Sequence, residues 1–179
     1  MVRGKTRDDI LAAAAKQFTH AGFKGTSLQE IAAEVGCSKA TLLYHFTSKD
    51  AILAEIVAPA VAELAELDDH LRTLDGSAVQ AAAIEGFVDL VLRYRREAAL
   101  IYDGSLNALH WPAFAELRPL TDNLCAAVAG PSTEPADGVA AAVILAGICS
   151  VVIDSAIDSA DADMRAALIG VARKALLPR

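Results

Sequence analysis

The sequence predicts an all-α protein: a three-helix N-terminal head followed by a C-terminal helical bundle, about nine helices in all. Three observations carry this. Ser27 to Lys49 reads as two short helices joined by a tight turn. Apolar residues recur at helical spacing along most of the chain. The hydrophobic fraction is 54%, much of it alanine, which suits close helix packing and leaves a surplus that a subunit interface would hide. At 179 residues the chain makes one large domain or two small ones.

The head is expected over residues 1–50, and 51–179 form the body. Thr6 to Ala21 is the first helix, with Thr6 and Asp9 as its cap, Ile10, Leu11, Ala14 and Phe18 inward, and Gly22 as its end. Ser27 and Glu30 form a capping box, in which each side chain satisfies a backbone N–H at a helix start. Leu28, Ile31, Ala32 and Val35 give that second helix its apolar stripe. Gly36 ends it, because glycine takes the left-handed conformation without a Cβ penalty. Ser38 caps a third helix. Leu42 and Phe46, four apart, point back to the core, while Lys39, Thr41, Tyr44 and His45 face outward. This is a helix-turn-helix, whose second helix fits the DNA major groove.

The string G-C-S-K-A-T-L-L-Y-H-F-T-S-K-D-A-I-L resembles the TetR family signature, densely so from about Ile10 to Ile56. Leu43 departs from it: many members carry an aromatic there, often tyrosine, so one hydroxyl is missing. The resemblance implies a DNA-facing set of Gln29, Lys39, Ala40, Thr41, Leu43, Tyr44, His45 and Lys49. The chemistry agrees for most. Lys39 reaches guanine acceptors or a phosphate, and Ala40 and Leu43 touch thymine methyls. Thr41 and Tyr44 donate hydroxyls to phosphate oxygens, which fixes register without reading sequence. The helix start at Lys49 presents free N–H groups to a phosphate.

Ser48 caps a fourth helix, with Asp50 favourable in its first turn. Pro59 marks a boundary or kink, and the junction of head and body lies near it. Val61, Leu64, Leu67 and Leu71 continue an apolar stripe to Asp75-Gly76. Ser77 starts a long helix through Ile84, Phe87, Val88, Val91 and Leu92, with a wet end at Arg93, Arg95, Arg96 and Glu97. A short helical stretch, about Ala98 to Leu109, ends at Trp111-Pro112. Pro119 interrupts, Leu120 to Ala129 is helical, and residues 130–138 form a loop.

Val139 to Ile157 is nearly uncharged and about long enough to cross a bilayer. Asp154 lies inside it and no Lys/Arg cluster flanks it, so a helix buried all round in protein is the expectation. Ala142, Ala146 and Ser150 form a small-residue stripe along it. The last helix, about Ala162 to Leu177, has one apolar face that includes Leu168 and Val171. Two such terminal hairpins from two subunits make a four-helix interface, as the last two helices do in the family it resembles.

Phe87, Tyr94, Tyr102, Asn107, His110, Trp111 and Phe114 fall within 28 residues of a chain with few aromatics. Residue by residue this is ordinary core, yet the resemblance raises the odds that some line an effector cavity. Asp154 has three readings, in this order: solvent at a helix end, a bond across a dimer, or a cationic ligand.

Residues 1–50 carry seven Lys/Arg and five Asp/Glu, a net of +2, while the rest carries nine and eighteen, a net of −9. Phosphate attraction is thus local to the head. Cys37, Cys125 and Cys149 are too scattered for zinc or a disulfide framework and suit a reducing compartment. His20, His45, His70 and His110 lack metal-ligand spacing, and Asp154, Asp158, Asp161 and Asp163 do not match a calcium loop; Asp161 reads as a cap. Asp68-Asp69-His70 reads as a wet helix face. No catalytic constellation, cofactor or metal is expected. The expectation is a cytoplasmic, homodimeric, ligand-responsive regulator, most often a repressor. Its partners are a near-palindromic double-stranded DNA operator and a small-molecule effector, with no membrane. The rival readings are a helix-turn-helix regulator controlled by a partner protein or by concentration, and an enzyme built on the aromatic cluster.

Overall fold

A computed structural model describes residues 3–102, 115, 117–132, 134–154 and 161–176. Among these there are nine helices and no strand: α1 (Arg3–Gly25), α2 (Leu28–Val35), α3 (Lys39–His45), α4 (Lys49–Leu71), α5 (Ser77–Arg93), α6 (Arg95–Tyr102), α7 (Leu117–Ala129), α8 (Pro135–Ile153) and α9 (Asp161–Leu176). The chain divides into two compact units, Met1–Pro59 with Ala99–Ala115, and Ala60–Ala98 with Glu116–Arg179.

In the first unit α1 packs on α2 and α3, and α2 packs on α3. Ile10, Ala14, Phe18, Ile31, Leu42 and Phe46 are buried, as their spacing requires. Removing a Leu side chain of this kind from water contributes about 1.5–3 kcal/mol. Two salt-bridged or amide contacts tie α1 to α2: Lys16 Nζ and Gln17 Nε2 donate to the Glu34 carboxylate at 2.7 and 2.6 Å. The first helix starts upstream of the expected cap, since Thr6 lies inside α1. At Gly22 the backbone turns non-helical (φ 74°, ψ 159°), so the expected stop is a break inside the assigned span. Only a residue tolerant of positive φ takes that conformation cheaply.

Pro59 sits inside α4 without ending it. The proline is exposed and removes one hydrogen bond of the helix.

In the second unit α5 is central and packs on α7, α8 and α9. It buries Ala83, Ile84, Phe87, Val88, Leu90 and Val91. Its other side carries carboxylates for α9: Arg165 Nε meets Asp89 at 2.5 Å, and Arg173 pairs with Glu85. Buried Gln80 donates from Nε2 to the Val128 carbonyl at 2.8 Å, satisfying an acceptor near the end of α7. The helix breaks at Tyr94 (φ −108°, ψ 41°), so α6 begins before the expected Ala98. The expected loop 130–138 is shorter, because Pro135 takes the first helical position of α8, where its missing N–H costs nothing. Asp161 is in the first turn of α9 and its carboxylate accepts from Arg95 at 2.9 Å, rather than standing outside the helix as a cap. Asp68 departs from the expected wet face. It is buried and accepts from Arg72 Nη2 at 2.6 Å and from Asn123 Nδ2 at 3.4 Å, while Asp69 and His70 are exposed.

Helix α8 is only partly covered within one chain. Ala141, Ile148 and Val152 are buried, but Val139 and Val143 are each 63% exposed. A helix apolar on every side is therefore covered on one side only within a single chain. A groove of about 630 Å³ lies along its open side against α9, lined by Val143, Ile144, Gly147, Met164, Ala167 and Val171 among others. By length and composition α8 can also cross a membrane; in this fold it packs on α5, α7 and α9.

Candidate nucleic-acid interface

Both predicted caps form. Glu30 N–H donates to Ser27 Oγ at 3.2 Å and Ser27 N–H to Glu30 Oε2 at 2.7 Å, closing the capping box. These hydrogen bonds, the Ser27 hydroxyl first, hold the Glu30 carboxyl below its ordinary pKa. Helix α2 ends at Gly36 (φ 75°, ψ 27°), with Gly36 N–H on the Ala33 carbonyl at 3.2 Å and Cys37 N–H on the Ala32 carbonyl at 2.9 Å. That pair of bonds is the Schellman turn. It delivers Ser38, whose Oγ accepts from Thr41 N–H at 3.0 Å and opens α3.

Helix α3 then separates its faces. Leu42 is fully buried and Phe46 nearly so, whereas Lys39, Ala40 and Thr41 are exposed, Leu43 is 41% exposed and Tyr44 68%. His45 is half-buried and its ring meets the Tyr44 ring edge-on at 5.4 Å. Gln29 is exposed at the start of α2. The Thr41 hydroxyl shares a hydrogen bond with Ser38 Oγ at 2.9 Å. The arrangement presents a cation, hydroxyls and apolar atoms on one short helix, the set that reads phosphate and base edges.

Lys49 stands apart from that set. Its Nζ donates to the carbonyls of Phe23 at 2.5 Å and Thr26 at 2.7 Å and lies 4.3 Å from the Phe23 ring centre. Burial lowers its pKa, with Asp50 and Glu30 acting in the opposite sense. Arg7 makes a second tie in the head, to Glu55 at 2.5 Å and over the Phe46 ring at 5.1 Å. Neither tie follows from helical periodicity, because each joins residues far apart in sequence.

Three of the seven body residues fall among the described ones. Phe87 is buried on α5, Tyr94 is half-buried at the end of α5, and Tyr102 is 47% exposed. Burial, then the neighbouring Glu63, raises the Tyr94 pKa. Asn107, His110, Trp111 and Phe114 lie outside the described residues. Of the expected interface residues, Ala142, Ser150 and Val171 are exposed, Ala146 is half-buried and Leu168 is buried in its own unit. Asp154 is exposed at the end of α8, where its backbone N–H donates to the Ser150 carbonyl at 3.0 Å.

Residues 10–56 match the family model for bacterial regulatory proteins of the tetR family. The HTH-type transcriptional regulator RutR of Escherichia coli K12 is 36% identical over 92 residues, 49% of this chain and 40% of that protein. The matched stretch thus spans well under half of that relative. Among solved structures, AmtR of Mycobacterium smegmatis is 27% identical with a TM-score of 0.64, over 97% of this chain and 86% of that one. The ketosteroid transcriptional regulator KstR2 of Mycobacterium tuberculosis shares the fold at a TM-score of 0.75 and 12% identity, over 97% and 95% of the two chains.

The helix-turn-helix head and the all-α fold are those of a class of DNA-binding regulatory proteins. Residues 10–56 thus resemble the DNA-binding region of TetR-family regulators, and the chain shares the fold of solved members.

Proposed function

We propose that the chain is a homodimeric transcriptional regulator, a repressor, that binds a near-palindromic operator and is released by a small-molecule effector. Residues 1–50 read DNA and residues 51–179 pair subunits and take the effector. The observation that carries the reading is the two-faced α3: Leu42 and Phe46 inside, Lys39, Thr41, Leu43 and Tyr44 outside. Gln29, Ala40 and His45 complete the contacts. At Lys49 the helix start, through its backbone, is the part that meets phosphate.

Pairing is supported by the open apolar side of α8 and the adjoining groove along α9. A second copy that buries Val139, Val143 and Val171 sets two copies of α3 about one DNA turn apart. The body is far larger than DNA binding needs, which supports an effector that binds better to a DNA-incompetent state and shifts the population toward it. Action on genomic DNA places the protein in the cytoplasm. A duplex selected by the purified protein from a random-sequence pool provides the test. Selection should yield a two-fold symmetric sequence, and failure to enrich any sequence contradicts the reading.

A further inference from the structure

The corner between α1 and α2 is the least regular backbone of the head. Gly22 leaves the helix at φ 74°, Thr26 is 3% exposed, and Thr26 Oγ1 donates back to the Gly22 carbonyl at 2.9 Å. A helix end presents carbonyls with no partner in the helix and a partial negative charge. Here a cation from another helix meets the Phe23 carbonyl of that end, which also accepts from Thr26 N–H at 3.4 Å, and the Thr26 carbonyl just beyond it. Lys49, in the first turn of α4, places Nζ 2.5 Å from the Phe23 carbonyl and 2.7 Å from the Thr26 carbonyl, with the buried Phe23 ring at 4.3 Å. An ammonium has three donor hydrogens. Two are committed to carbonyls, and the ring face takes up the remaining side of the charge.

Thr26 directly precedes Ser27, the cap of α2. Whatever fixes the Thr26 carbonyl therefore fixes where α2 begins. The start of α4 is itself fixed, since Ser48 Oγ accepts from Ala51 N–H at 3.0 Å. We infer that the Lys49 side chain is a positioning group for DNA binding and not a phosphate contact, which is left to the backbone there: its ammonium locks the α1–α2 corner to α4 and so sets how α2 and α3 meet the duplex. This rests on the reading of the head as a DNA binder. It assigns the Lys49 side chain a part that the sequence does not suggest.

The test uses the full-length protein and a duplex it selects from a random-sequence pool. Lys49→Met keeps most of the stem and removes the donors. Affinity should fall about tenfold at every salt concentration, as expected for loss of charge-assisted hydrogen bonds. The plot of log affinity against log salt should stay parallel to that of the parent. Lys39→Met, in contrast, should flatten that slope by about 0.9, the signature of one lost phosphate contact. A slope flattened by about 0.9 in Lys49→Met overturns the inference, and so does unchanged affinity. A lysine that served stability alone would lower the melting temperature and leave affinity intact well below it.

A second measurement needs no variant. Acetic anhydride applied to the DNA-free protein, followed by mass spectrometry, should modify Lys39 readily and Lys49 far more slowly. Equal rates overturn the lock. Should the protein enrich no duplex, the DNA reading fails, while the tie at Lys49 is still decided by acetylation.

Discussion

Tyr44 sits on α3 with 68% of its surface exposed and its ring edge against His45. Truncation at such a position opens no cavity, so its effect belongs to binding and not to folding. Tyr44→Ala should reduce operator affinity about tenfold, the scale of one hydrogen bond to a charged acceptor. Its melting temperature and subunit state should match those of the parent. Glu30 gives a residue-scale prediction with a sign. Its folded pKa lies below the unfolded value, so the contribution it makes is present above the unfolded value, about 4.3, and is lost as pH falls through the folded one. Glu30→Gln can still bond the Ser27 N–H and does not titrate. The urea midpoint of the variant should therefore fall less than that of the parent between neutral and strongly acid pH. Equal falls would mean that the capping box is not charged in the native state.

At the scale of elements, the turn from α2 to α3 is where local chemistry decides geometry. Gly36 needs φ of 75°, and an added Cβ there meets no atom within 4 Å. Any penalty is thus backbone strain alone, about 1–2 kcal/mol for an L-residue in the left-handed region. Gly36→Ala should lose that much in urea unfolding and weaken operator binding as α3 shifts. Leu42→Ala should cost more, about 2–5 kcal/mol, because it empties a fully buried position.

Capping boxes, a glycine stop and i, i+4 apolar pairs are short-range signals, so α2 and α3 are legible from residues 27–46 to within a residue at each end. The same logic missed the start of α1. Gly4 is tolerated near a helix end, and a cap further along is only a local option. It also missed the loop before α8, where Pro135 starts a helix instead of preventing one. The Lys49 and Arg7 ties were illegible for a different reason. Each depends on tertiary placement of residues 23 or more positions apart, which no periodicity records. Asp68 illustrates the middle case: Arg72 four residues on is a helical ion-pair spacing, a signal that pointed to a partner for the first acid of the run.

For the whole molecule, α8 carries the argument. Sequence alone marks it as apolar all round and so as buried, and a single chain leaves Val139 and Val143 in water. Composition records that surface must be covered without recording by what. In the proposed function a second copy is that cover, because it would also pair two DNA-reading helices. Val143→Glu should yield a monomer by sedimentation, with helix content unchanged, and should lower operator affinity far more than a surface charge elsewhere. A variant that remains dimeric would move the interface off this face.

The central claim is a paired reader of DNA, and its most direct measurement is stoichiometry on a selected symmetric duplex. Titration of that duplex with the protein, read by sedimentation, should saturate at two chains per duplex, or a small multiple of two, and should weaken steeply as salt rises. Saturation at one chain per duplex, or no complex beyond what an unrelated duplex forms, would contradict it.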